Sequence, residues 1–232
     1  MAIERKIWMR SKVLGLAAAG AVVMTASLAY AGTTSPQTAS YSNNTNWGVP
    51  TLVELNFAGF DGSLGTLTGV TVSVLEEVSG TVQNTNTGND ASGIDSWLVN
   101  TWTVYLPSAL NSVSHLTGTS ASADQYDDLD PGATGDVVTV TGSSNGSAAS
   151  AASNDLTAYK SAFTVTAKDL GGVTVSADNG NGQSAYTDTG TITVSVTYTY
   201  DAPPPPPVPE PATLAILGGG LFGLGLVRRR RG

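Results

Sequence analysis

Thr191-Ile192-Thr193-Val194-Ser195-Val196-Thr197-Tyr198-Thr199-Tyr200 decides the fold. Ile192, Val194, Val196, Tyr198 and Tyr200 fall on one face of an extended chain, and Thr or Ser on the other. Ten residues with a period of two predict a half-buried strand in an antiparallel sheet, one face on the core and one in water.

The same pattern recurs upstream in shorter runs. Phe163 and Val165 alternate with Thr164 and Thr166, and Val138 and Val140 with Thr139 and Thr141. Trp102, Val104 and Leu106 alternate with Thr103 and Tyr105. Leu67, Val70, Val72 and Val74 lie in a β-branched run from Thr66 to Leu75, and Thr51 to Phe57 reads as another half-buried strand. Gly, Asn and Asp bound these runs. No period of 3.6 is sustained, although the Ala-rich stretch from Ser147 to Ala162 is expected to hold one short helix. No short repeat of fixed length argues for a β-helix. The expectation is an all-β domain, an antiparallel β-sandwich of jelly-roll or Ig-like type, over residues 32–201. A domain of 170 residues is large enough for a core of its own.

The ends differ from this body. Arg5, Lys6, Arg10 and Lys12 precede an apolar segment from Val13 to Leu28, and Ala29-Tyr30-Ala31 before Gly32 forms a small-x-small cleavage site. Residues 1–31 are therefore expected to be a signal peptide cut by signal peptidase after Ala31. Pro203 to Pro207 make residues 202–208 a linker of extended polyproline character. Beyond it an apolar run from Leu214 to Val227 precedes Arg228, Arg229, Arg230 and Arg231. As a helix its 14 residues span about 21 Å, short of a bilayer core of about 30 Å. Ala212 and Thr213 lengthen it, and the arginines snorkel to the far interface. A transmembrane helix over 212–227 with a cytoplasmic basic stop is expected, which places the body outside.

Eight of the ten basic residues lie in these two ends. Once Glu4 leaves with the leader, Lys160 and Lys168 stand against 17 acidic residues, one of them Glu210 at the sorting site, so the exported part is near −15 and residues 32–201 alone −14. Such a body is a poor partner for nucleic acid, whose phosphates are neutralised by Lys and Arg. The chain has no cysteine and one histidine, His115, which excludes thiol catalysis, Cys-ligated zinc and multi-His metal sites.

Val208-Pro209-Glu210-Pro211, the Gly-rich apolar span and the four terminal arginines together resemble the PEP-CTERM sorting signal, here residues 209–232 with Val208 leading in. The resemblance implies recognition by exosortase, a membrane-embedded transpeptidase-like cysteine protease, and loss of the tail near Pro209-Glu210-Pro211. It further implies a Gram-negative bacterium that makes exopolysaccharide. The protein would be held briefly at the inner membrane, then placed at the cell surface or in the extracellular matrix.

A second resemblance covers most of the body. Leu55-Asn56-Phe57 with Phe60-Asp61-Gly62-Ser63-Leu64-Gly65-Thr66-Leu67-Thr68-Gly69-Val70 is similar to the start of the choice-of-anchor E domain, with its Phe-Asp-x-x-Leu-Gly-x-Leu pattern. Gly190-Thr191-Ile192-Thr193-Val194 and Tyr198 match that family's closing strand. The resemblance implies a β-rich surface domain and supplies no catalytic residues. Physically, Asp61-Gly62-Ser63-Leu64-Gly65 reads as a turn, with Phe60 and Leu64 expected to plug one end of the sandwich.

Candidate chemistry is sparse. Asp124, Asp127, Asp128, Asp130 and Asp136 form the densest acidic cluster and are a candidate Ca²⁺ site, without EF-hand spacing. Otherwise no cofactor is expected. Asp178-Asn179-Gly180-Asn181-Gly182 is a weaker candidate of the same kind. Glu76-Glu77 is read as an exposed strand end, since adjacent strand residues point to opposite faces and cannot form a glycosidase pair. Ser114-His115 has no nucleophile elbow to support it. Trp47, Trp97 and Trp102 are candidates for stacking on sugars. The expectation is a non-enzymatic exported surface or matrix protein associated with exopolysaccharide or biofilm. The alternative is a carbohydrate-binding module, calcium-assisted through the Asp124 to Asp136 loop.

Overall fold

A computed structural model of the chain describes residues 30–44, 52–151, 154–204, 218–221 and 229. Among these residues the elements are overwhelmingly β. β1 (Ala31–Thr33), β2 (Gln37–Asn44) and β3 (Val53–Phe57) are short. β4 (Thr66–Asn86) and β5 (Ser92–Leu110) are long, followed by β6 (Val113–Ala121), β7 (Gln125–Leu129) and β8 (Val138–Ala149). β9 (Phe163–Ala177) and β10 (Gly182–Asp201) complete the chain order.

Two five-stranded sheets face each other. In the first, β10 lies against β4 and β4 against β8, while β1 and β2 follow one another along the other side of β10. In the second, the order is β3, β9, β5, with β6 and β7 following one another along the free side of β5. Every pairing is antiparallel. This is the all-β sandwich that the alternation predicted. The strands outrun their sequence signals because the alternation continues in small polar residues. β10 begins at Gly182, nine residues before the legible run, and stays paired to β4 throughout.

The inward faces are those the period assigns. Ile192, Val194, Val196 and Tyr198 of β10 meet Val70, Val72 and Val74 of β4, and Trp102 and Val104 of β5 meet Val165 and Ala167 of β9. A bulge between Thr199 and Tyr200 puts Leu67 and Val70 on the same face despite their odd spacing. Fully burying each such side chain is worth about 1.5–3 kcal/mol. Down one side the sheets are stitched together: Ser122 bridges to Gly142, and the Ala123 amide donates to Thr141 O at 3.3 Å.

Two expectations are corrected. Among the described residues the helix expected within Ser147 to Ala162 is absent: β8 runs to Ala149, and a 3₁₀ turn, Thr157–Tyr159, is the one helical element described there. Its purpose is packing, since Tyr159 is fully buried and donates its hydroxyl to Ser108 O at 2.7 Å. Glu76 is not an exposed strand end. It lies in the middle of β4, in phase with Val72, Val74 and Val78, and is wholly buried, while Glu77 faces outward.

The transmembrane helix expected over 212–227 lies mostly outside the described residues. Residues 218–221 are helical, and among the described residues no helix is long and apolar enough to cross a membrane.

Candidate functional site

The two ends of the body leave the sandwich at one pole. β1 lies against the last residues of β10, with Ala31 opposite Asp201, Gly32 opposite Tyr200 and Thr33 opposite Thr199. The Ala202 amide donates to Tyr30 O at 3.0 Å, and the Thr34 amide to Tyr198 O at 2.9 Å. Of the expected cleavage residues, Ala31 and Gly32 thus sit beside the first linker residue, while Ala29 lies outside the described residues.

The Phe60 to Gly65 loop closes the same pole. Asp61 accepts the Ser63 amide at 2.9 Å and caps the 3₁₀ turn Gly62–Leu64, and the Ser63 hydroxyl first and that amide second hold its carboxyl below the usual aspartate range. Gly65 has φ +139, and a Cβ there would collide with Asp201 O, so the loop abuts the start of the linker. Phe60 is buried, its ring centroid 5.7 Å from those of both Tyr198 and Tyr200. Phe60 is a plug as expected. Leu64 is not, being 37% exposed.

The candidate calcium ligands do not converge. Asp127 is half-buried and accepts Asn84 Nδ2 at 2.9 Å, whereas Asp128 is its neighbour on the outer face and accepts the Tyr126 hydroxyl at 3.2 Å. Asp124, Asp130 and Asp136 are exposed around them. Among the described residues no group of three or more His, Cys, Asp or Glu side chains is disposed to hold a metal ion. In the second acidic stretch, Asn179 accepts the Asn181 amide at 3.0 Å and Gly180 has φ +73, an ordinary turn between β9 and β10.

Trp97 and Trp102 do not make a platform, because they lie on opposite faces of β5. Trp102 is fully buried in the core and donates Nε1–H to Ser144 Oγ at 2.7 Å, so it has no face for a sugar. Trp97 lies on the opposite, outer side of β5 and is half-buried. Trp47 lies outside the described residues. His115 is on β6, its ring 5.9 Å from that of Tyr105.

The polar groups that sequence reasoning missed are inside. The apolar core is in two parts, a large one around Trp102 and a smaller one of Val78, Val82, Leu98 and Val140. Between them lie Glu76, Asn100, Asp169 and Asp188, one each from β4, β5, β9 and β10. Asn100 is the hub: its Nδ2 reaches Glu76 Oε1 at 3.3 Å and Asp169 Oδ2 at 3.4 Å. Gly171 and Gly190 leave the space, since a Cβ on Gly171 would overlap Asn100 Oδ1 and Asp188 Oδ2, and one on Gly190 would overlap Asp169 Oδ2. Burial pushes Glu76 up to about 7, aided by the charges of Asp169 and Asp188. Burial and then Asp188 push Asp169 up to about 6. Beyond the smaller apolar part, Asn84 accepts Ser96 Oγ at 2.7 Å and donates to Ile94 O and Gln125 O. Strand parity was the available signal: Glu76 shares its phase with Val74 and Val78, and Asp188 with Ile192.

Residues 207–231 match the PEP-CTERM protein-sorting motif. The chain therefore carries the tail of exported surface proteins that exosortase handles, including a C-terminal segment held in the membrane before processing. The matched residues lie almost wholly outside the described ones. No curated protein matches the chain. Among solved structures, T=1 particles derived from infectious bursal virus align with 12% identity over 84% of this chain and 48% of theirs, at a TM-score of 0.15. The infectious bursal disease virus VP2 subviral particle aligns with 13% identity over 84% of this chain and 50% of its own, at a TM-score of 0.13. The chain spans about half the length of those viral chains, and TM-scores this low carry no argument about fold or role.

Proposed function

We propose that the protein is a non-enzymatic surface or extracellular-matrix protein of a Gram-negative bacterium that works among exopolysaccharide or biofilm polymers. In this reading residues 1–31 are removed by signal peptidase, 32–201 form a choice-of-anchor E-like sandwich, 202–208 form the stalk, and exosortase removes the tail within 209–232. The sorting motif at 207–231 is the observation that carries it. The fold is compatible, because Tyr30 and Ala31 lie beside Asp201 and Ala202 at one pole. A domain tethered to the inner membrane at both ends can then close without either tether crossing it.

Sugar stacking through Trp102 is not retained, because that ring is enclosed. The deciding measurement is the intact mass of the protein from cells and from medium, with and without exosortase. A species beginning at Gly32 and ending near Pro211, lost when exosortase is deleted, is expected. A chain that keeps Leu214 to Arg231 in the wild-type strain overturns the sorting reading.

A further inference from the structure

We propose that the layer of Glu76, Asn100, Asp169 and Asp188 is a proton-operated lock between the two sheets: the sandwich is tight when the layer holds protons and loosens when they leave. The geometry sets the problem. Three carboxyl groups from three strands meet in the interior around one carboxamide. Glu76 and Asp188 are wholly buried. Glu76 Oε2 and Asp169 Oδ1 are shielded from water and accept no hydrogen bond. Buried anions in this proximity need a compensating charge.

Among the described residues neither lysine supplies one to Glu76 or Asp169. β5 contributes Asn100 to the layer, β6 Ser120 and β8 Ser144, all neutral. β9 contributes Asp169 and β10 Asp188, both acids. Lys168 precedes Asp169 but lies on the other face, its Nζ 6.0 Å from the centroid of the Tyr105 ring. Lys160 is beside Leu67 and Leu156, near the stalk pole. Glu77 points outward. Along the interior the next carboxylate, Asp127, lies past Val78 and Val82 and is engaged by Asn84. The layer is also not disposed to hold a metal ion. Protons are the species that can neutralise Glu76 and Asp169 there.

The direction of the effect follows from the shifts. Glu76 and Asp169 are raised in the folded protein, to about 7 and about 6, by burial first and neighbouring carboxylates after. The unfolded chain gives up these protons near about pH 4, the folded one only at higher pH. Their contribution is therefore complete in acid and is lost as pH rises toward about 7. For a domain exported as proposed above, the external medium sets the state of the lock.

The test is the urea midpoint of the purified mature protein from about pH 5 to about pH 8.5, in chelator and again in millimolar calcium. The folded-to-unfolded ratio should fall at least about tenfold across that range and level off at the alkaline end. Glu76→Gln and Asp169→Asn, which mimic the protonated groups in shape, should each flatten part of the fall. Hydrogen exchange in the unmodified protein gives a second reading: amides of β4 and β9 around the layer should open faster at the higher pH while those around Trp102 change less. A midpoint independent of pH, or an alkaline loss that calcium alone reverses, overturns the proton lock. The mass measurement above is independent of this result, so the two ideas fail separately.

Discussion

Asn100 on β5 faces Gly171 directly across the β5–β9 ladder, and its carboxamide fills the space that any side chain at 171 would need. The layer of buried acids exists because two strands present a hydrogen atom there instead of a carbon. Gly171→Ala should therefore cost about 1–3 kcal/mol through overpacking, read as a lower urea midpoint. Gly62→Ala is the control: nothing lies within 4 Å of its added carbon, and the change should stay within about 0.5 kcal/mol. Equal effects at the two positions would contradict the packing described for the layer.

Trp102 and Trp97 are near neighbours in sequence on opposite faces of β5. Trp102→Ala empties the main core and leaves Ser144 without its indole donor, so it should cost about 3–5 kcal/mol. Trp97→Ala should cost much less, because the side chain is only half-buried. Denaturant curves for the two variants compare them directly. A larger loss at Trp97 would mean that the faces of β5 are assigned the wrong way round.

The first residues after the expected cleavage point should hold the stalk end in place. Gly32 lies under the Tyr200 ring, where a Cβ would be 2.6 Å from Cζ. Gly32→Val should displace β1 and speed hydrogen exchange of the Thr34 amide by about tenfold or more, since that amide bonds Tyr198 O only while β1 is seated. Amides in the middle of β4 should keep their protection. Unchanged exchange at Thr34 would show that β1 does not depend on this contact.

Tyr159 and Tyr198 donate their hydroxyls to Ser108 O and Ala58 O, each at 2.7 Å. Burial pushes both up to about 12. Their contribution to stability is complete below about pH 10, where the unfolded chain begins to ionise, and falls as pH rises through about 12. An ultraviolet titration of the folded protein should show these two tyrosines ionising after the exposed ones, together with unfolding. Ionisation of all tyrosines in one early step, with the fold intact, would refute their burial.

The site was far less legible than the fold. The Phe60 to Gly65 turn could be read because Asp and Gly act through their own backbone, within a few residues. Asp124 to Asp136 read as a cation site because proximity in sequence looks like proximity in space. β7 is extended, so Asp127 and Asp128 point to opposite faces, one to Asn84 and one to Tyr126. Glu76 was read as exposed because its charge outweighed its phase, although Val74 and Val78 on either side share that phase.

What the amino-acid order determined by itself is local. The period of two along Thr191 to Tyr200 makes a strand with one apolar face, and the motif at 207–231 carries its own address. Neither depends on which other strand lies alongside. Only the tertiary structure decided that β1 would clasp the end of β10, and that Trp102 would be enclosed. It also brought Glu76, Asn100, Asp169 and Asp188, which are up to 112 residues apart, into one buried layer. Strand partners and register are set by the summed packing of both sheets, and a buried charge is recognisable only once the residues covering it are known.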